Sequence, residues 1–302
     1  MPEAVAPPIA QQADRLGPRG RRTRRRGSLN DEGWRYTPGM TRRPEQYVDR
    51  RHALRSLGAG VAAVCTTPML ARALGACAST RREELGRLHT RHSAATEAMT
   101  PGTHPLGLRQ TRDGVLYLPP QYEPDSPIPL VLLLHGAGGS GASIAQRFRA
   151  YADELGIAFV APDSAEVSWD RADRLTKDVA HIDAALAVAY RRVNTTPDRV
   201  RIGGFSDGAS YSLSVGLTNG DIFGRILALS PGFIDPARTR GKPEIYVTHG
   251  VRDQILEIER TSRRIVPVLR NAGYTVHYHE FDGRHETPRE ICRPAFAWLI
   301  GP

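Results

Sequence analysis

The run "PLVLLLHG", residues 129–136, carries five consecutive apolar residues with no polar alternation, which is too continuous for a strand with one wet face. Such a run suits a strand covered on both sides, as in a parallel sheet sandwiched between helices. Other strand-like runs follow at intervals: "VLYLPP" before it, then "IAFVAP", "RVRIGGFS", "RILALS", "EIYVTHG" and "YTVHYHEF". Between them, "VAHIDAALAVAY" has helical apolar spacing, and further helices are expected at 209–219, 257–272 and 288–299. Strands alternating with helices of this length predict an α/β fold built on a doubly wound, mostly parallel sheet. In such sheets ligands bind beyond the carboxyl ends of the strands, so reactive side chains belong just past those ends.

Three polar residues stand there. Ser206 follows "RVRIGGF" in "GFSDGAS", with Gly204 and Gly208 relieving crowding at a sharp strand-to-helix turn. Asp253 follows "EIYVTHG" in "HGVRD", and His285 follows the last strand in "FDGRHETP". A serine hydroxyl is a weak nucleophile until a base takes its proton, which an imidazole can do and later reverse. A carboxylate behind the imidazole fixes its tautomer and stabilises the imidazolium. Asp282 is the alternative acid, and His249, His277 and His279 are alternative bases; the strand-end positions favour Asp253 and His285. His277 and His279 share a strand face, but no third ligand accompanies them in a metal pattern.

The motifs "LLLHGAGGSG", "GFSDGAS", "LALSPGF", "VTHGVRD" and "FDGRH", in that order, cover about two thirds of the chain with the segments between them. Together they resemble the α/β-hydrolase serine esterases, most nearly the phospholipase/carboxylesterase group and more distantly polyhydroxybutyrate-depolymerase-like and feruloyl esterases. The resemblance implies an α/β-hydrolase fold, a Ser206–Asp253–His285 triad and cleavage of carboxylic esters through an acyl-enzyme, with a small-molecule ester as substrate and no cofactor. It also implies an oxyanion hole from the backbone N–H of Asp207 and of Ala137, with Gly138 as the alternative to Ala137. Many relatives have glutamine where this chain has Asp207, and Arg284 is a partner expected to neutralise that carboxylate. Trp169, Tyr211 and Phe233 are expected to line the cleft. Only Pro231 to Lys242 separate "LALS" from the next strand, a stretch holding two prolines and two glycines, so no cap domain is expected and short to medium acyl chains should be preferred. Alternative readings are a polymeric-ester hydrolase or peptidase on the same scaffold, or an inactive hydrolase-like domain used for binding.

The net charge of +9 suggests a polyanion partner until its distribution is read. Residues 1–76 hold 14 arginines against 6 acidic residues, leaving 27 basic against 26 acidic in the remainder, so the globular part implies no nucleic-acid partner. Residues 1–78 read as a basic extension and an export signal. Arg50 and Arg51 precede a weakly apolar run from Leu57 to Ala71, shorter than the roughly 20 residues of a membrane span. The arginine pair resembles a twin-arginine signal, and Leu74-Gly75-Ala76-Cys77 resembles a lipobox, which implies a membrane tether through lipidated Cys77. A cut after Ala78 would instead release a soluble protein. Residues 79–107 read as a polar tether, and 108–302 as the catalytic domain. The glycines at 136, 138, 139 and 141 lack a phosphate loop's Gly-Lys-Ser/Thr ending, and Cys292 is the one thiol of the globular part, expected to be buried.

Overall fold

A computed structural model describes residues 85–170 and 177–301. The basic extension, the export signal and Cys77 lie outside the described residues. Eight strands form one sheet: β1 (Gly102–Pro105), β2 (Gly114–Leu118), β3 (Leu130–Leu134), β4 (Ala158–Pro162), β5 (Val200–Phe205), β6 (Arg225–Leu229), β7 (Glu244–Gly250) and β8 (Val276–Phe281). Their spatial order is β1-β2-β4-β3-β5-β6-β7-β8. The β1–β2 and β2–β4 pairs are antiparallel, and every pair from β4 to β8 is parallel.

Among the described residues five α-helices clothe the sheet: α1 (Gly141–Leu155), α2 (Lys177–Arg192), α3 (Asp207–Thr218), α4 (Ser262–Asn271) and α5 (Arg289–Ile300). The side chains of β3 explain its uninterrupted apolar run. Leu130, Leu132 and Leu134 face the core under α2, α3 and α4, while Val131 and Leu133 face the core under α1 and α5. Both faces are dry, so neither tolerates a polar residue. This is an α/β-hydrolase fold; among the described residues no helix is inserted between β6 and β7, where residues 230–243 run without regular structure. No described helix is long and apolar enough to cross a membrane.

The segment expected to be a tether is, from residue 85, part of the packed body. Leu88 is fully buried in the core beside α2 and α3. Asn219, at the end of α3, accepts from the Leu88 N–H (2.9 Å) and donates to the Gly86 carbonyl (2.9 Å). Arg87 pairs with Asp221, Thr90 N–H donates to Asp183, and Glu97 pairs with Arg191 and Arg192. A chain held by individual polar contacts and by two widely spaced leucines, Leu88 and Leu106, has no apolar period, which is why its sequence reads as solvated.

Candidate active site

Ser206 stands between β5 and α3 with φ 60° and ψ −119°, a conformation that L side chains seldom adopt. Its N–H is held by the Leu229 carbonyl of β6 (2.9 Å). The turn closes this tightly because its flanks are bare. A Cβ on Gly204 would come within 2.5 Å of the Gly208 carbonyl oxygen, and one on Gly208 within 2.2 Å of the Leu134 carbonyl oxygen.

The side chain of Ser206 meets His285, with Oγ 2.8 Å from Nε2. His285 Nδ1 lies 2.6 Å from Asp253 Oδ2. A carboxylate can only accept, so the Nδ1–H donates to Asp253 and Nε2 is left to accept the Ser206 proton. The other carboxylate oxygen, Oδ1, accepts the N–H groups of Ile255 and Leu256, both at 2.8 Å. Burial alone would raise the Asp253 carboxyl, but hydrogen bonds from His249 and His285 outweigh it and hold the group well below the ordinary carboxylate range. The Phe205 ring rests against His285 at 4.8 Å, so the imidazole is backed by an apolar surface. Asp282, the alternative acid, pairs instead with Arg252 at the surface, and His277 and His279 are exposed on β8.

The loop after β3 closes on Ser206 from the other side: a Cβ on Gly136 would sit 3.4 Å from the Ser206 Cβ. Gly138 N–H donates to the Val167 carbonyl (2.6 Å) and Gly139 N–H to the Gly136 carbonyl (3.0 Å). The N–H groups of Ala137 and Asp207 have no acceptor among the described residues. Of the two alternatives in that loop, Gly138 is therefore occupied and Ala137 is available. His135 sets the loop's shape. Its Nδ1–H donates to the Gly136 carbonyl (2.8 Å), and its Nε2 accepts from Ser164 N–H (3.0 Å), which fixes the neutral tautomer. Burial pushes His135 below the usual imidazole range, in keeping with that assignment.

Asp207 does not pair with Arg284. Its carboxylate accepts from the Ser168 hydroxyl (2.6 Å) and the Trp169 N–H (3.0 Å), so it points into the loop after β4. Burial raises the Asp207 carboxyl, and those two hydrogen bonds offset it only in part. The same loop is tied by buried Asp178, which accepts from Ala165 N–H (2.6 Å) and Asp170 N–H (2.8 Å). Burial likewise pushes Asp178 upward.

Two residues expected to line the cleft are packed beneath it. Trp169 is buried, donates from Nε1 to the His135 carbonyl (2.8 Å) and stacks on Tyr211. Tyr211 is fully buried, with its hydroxyl donating to Asp170 (2.7 Å). Both rings found partners for their polar ends inside the protein, which a sequence cannot foretell. They brace the floor of the site. Phe233 is half-buried on the loop after β6, where the Ser210 hydroxyl holds the Gly232 N–H at 2.8 Å. Ser168, Asp170 and Asp178, which support this arrangement, had no motif to announce them. Among the described residues no group of three or more His, Cys, Asp or Glu is placed to hold a metal ion. Cys292 is buried in the α5 core, and burial pushes its thiol up to about 12.

Residues 107–262 match the model of the Esterase family. Feruloyl esterase C of Emericella nidulans is 30% identical over 156 residues, which is 49% of this chain and 57% of that protein. The chain thus spans a little over half the length of the curated relatives it matches. The crystal structure of esterase PE8 shares the fold, with a TM-score of 0.52 and 23% identity over 62% of this chain and 96% of that one.

Proposed function

Because the chain belongs to the Esterase family, we propose that it hydrolyses carboxylic esters of short to medium acyl chains through an acyl-enzyme. Ser206 is the nucleophile, His285 the base and then the acid, and Asp253 the group that orients the imidazole. The observation that carries this reading is the unbroken hydrogen-bonded path from Ser206 Oγ to His285 to Asp253, at 2.8 Å and 2.6 Å.

In this mechanism Ser206 Oγ bonds to the ester carbonyl carbon as its proton passes to His285 Nε2. The carbonyl electron pair moves onto oxygen, where the N–H groups of Asp207 and Ala137 meet it, the first aided by the positive end of α3. Collapse of this intermediate breaks the bond to the alcohol oxygen, which takes the proton back from His285. Water then attacks the acyl-enzyme with His285 again as base, releasing the acid and restoring Ser206. The low carboxyl of Asp253 suits its task, since it stays ionised while the imidazole cycles through its charged form.

Fluorophosphonate labelling tests the nucleophile. The parent should label at Ser206, and Ser206→Ala should lose labelling together with roughly 1,000-fold or more of kcat on p-nitrophenyl butyrate. His285→Ala should be about as severe, and the double variant little worse, because the two act as a unit. Normal turnover by a folded Ser206→Ala protein would reject the assignment. The feruloyl esterase relative favours a second reading, in which aromatic acyl groups of the feruloyl type are preferred. A higher kcat/KM on methyl ferulate than on methyl butyrate would put that reading first.

A further inference from the structure

One fully buried imidazole has no part in the steps above. His249, the penultimate residue of β7, places Nε2 2.7 Å from the Leu256 carbonyl and 3.2 Å from Asp253 Oδ2. Both oxygens can only accept, so Nε2 carries a hydrogen and shares it between them. Nδ1 lies 2.7 Å from the hydroxyl of Ser262, itself fully buried at the start of α4. Asp253 Oδ2 therefore sits between two imidazoles, His285 on the solvent side and His249 on the core side.

Resting on the reading of Ser206, His285 and Asp253 as the reacting triad, we propose that His249 is a positioning residue for ester hydrolysis, acting through Asp253. It ties the carboxylate to β7 and divides the Oδ2 charge between two N–H donors. Because Oδ1 is already pinned by Ile255 and Leu256, loss of His249 does not release the carboxylate to rotate. What changes is the negative charge that Oδ2 offers to His285. With one donor gone, the His285 imidazolium is better stabilised, keeps its proton to higher pH, and leaves less free base at a given pH. Ser262 serves the same end by holding the His249 ring in the orientation that aims Nε2 at Asp253.

Other charges face this network and stay in place when His249 is changed. Glu280 on β8 is the register neighbour of His249 and pairs with Arg263 of α4. Arg147 of α1 stacks over Phe205, behind His285. Asp282 and Glu286 flank His285 on its own loop, the first paired with Arg252 and the second accepting from Arg284 N–H.

The test is the pH profile of kcat/KM for soluble ester hydrolysis in parent, His249→Leu, His249→Gln and Ser262→Ala, with Ser206→Ala measured alongside. His249→Leu should move the acid limb up by roughly half a pH unit or more, with KM changed less than about twofold. His249→Gln, which keeps an N–H donor at the Nε2 position, should return the limb most of the way to the parent's. Ser262→Ala should move it in the same direction by less, and it decides the matter if His249→Leu does not fold. A folded His249→Leu protein, or failing that Ser262→Ala, whose acid limb coincides with the parent's would overturn the proposal, since a purely structural histidine lowers stability without shifting that limb. Full turnover by Ser206→Ala would instead reject the triad reading, so the two failures are separable.

Discussion

Asp207 shows how one side chain and its own backbone serve opposed ends. In the proposed mechanism its N–H meets a developing negative charge, while its carboxylate, a negative charge itself, is turned away and anchored by Ser168 and Trp169. Burial raises this carboxyl above its unfolded value, so the native state holds the proton longer than the unfolded chain does. Stability from this group is then greatest below the ordinary carboxylate pKa of about 4 and declines as pH rises through the raised value. An asparagine can accept the same two hydrogen bonds without being ionised. Asp207→Asn should therefore melt with the parent at pH 3.5 or below and above it at pH 7, as thermal scans across that range would show; equal melting temperatures at pH 7 would contradict the argument. The three residues that the structure joins by hydrogen bonds, Ser206, His285 and Asp253, were legible in the sequence because strand ends and glycine spacing locate them. Trp169 and Tyr211 were expected to line the cleft and instead pack beneath it, because their sequence neighbourhood says nothing about whether an indole N–H or a phenol finds an internal acceptor. His249 could be seen only as a rival base, since its partners Leu256 and Ser262 come from a loop and a helix further along the chain.

At the level of elements, seven strands were evident; burial on both faces is the physical reason for β3 to β6, whereas β8 alternates, with His277 and His279 exposed between buried ends. β1 was not evident, because Gly102–Pro105 reads "GTHP" and owes its strand conformation to antiparallel pairing with β2 rather than to any propensity of its own. The same holds for residues 85–101, whose place is fixed by Asn219, Asp221 and Asp183 on other elements. The prediction that separates a packed segment from a solvated one is Leu88→Ala. In a tether it would be silent; here it removes a fully buried leucine and should destabilise the protein by about 2–5 kcal/mol. Urea denaturation with an unchanged slope and a lower midpoint is the expected record. The serines of α3 form a comparable internal link: Ser210 holds Gly232 and Ser214 holds the Asp235 N–H (3.0 Å), so the loop that carries Phe233 is fastened to the helix that starts at Ser206.

For the molecule as a whole, residues 230–243 bear on access in the proposed reaction. They cross from β6 to β7 without a helix among them, so a long acyl chain on Ser206 would find no element inserted there to bury it. Each methylene left in water forgoes about 0.8 kcal/mol. The kcat/KM of p-nitrophenyl esters should peak at short chains, and turnover should rise smoothly through the substrate's solubility limit; a jump at that limit would show that a lipid surface opens something. The positive φ of Ser206 carries a different implication, for how such a protein changes over generations. A serine held in that conformation costs the fold about 1 kcal/mol or more, and glycine would not bear this cost. Selection for turnover and selection for stability thus pull in opposite directions at one codon. Ser206→Gly should yield a dead protein that melts above the parent, whereas Ser206→Ala, equally dead, keeps the strain and should not. A lineage relieved of the need to turn over substrate would be expected to drift toward glycine here first, leaving a sturdier scaffold free to take up another role.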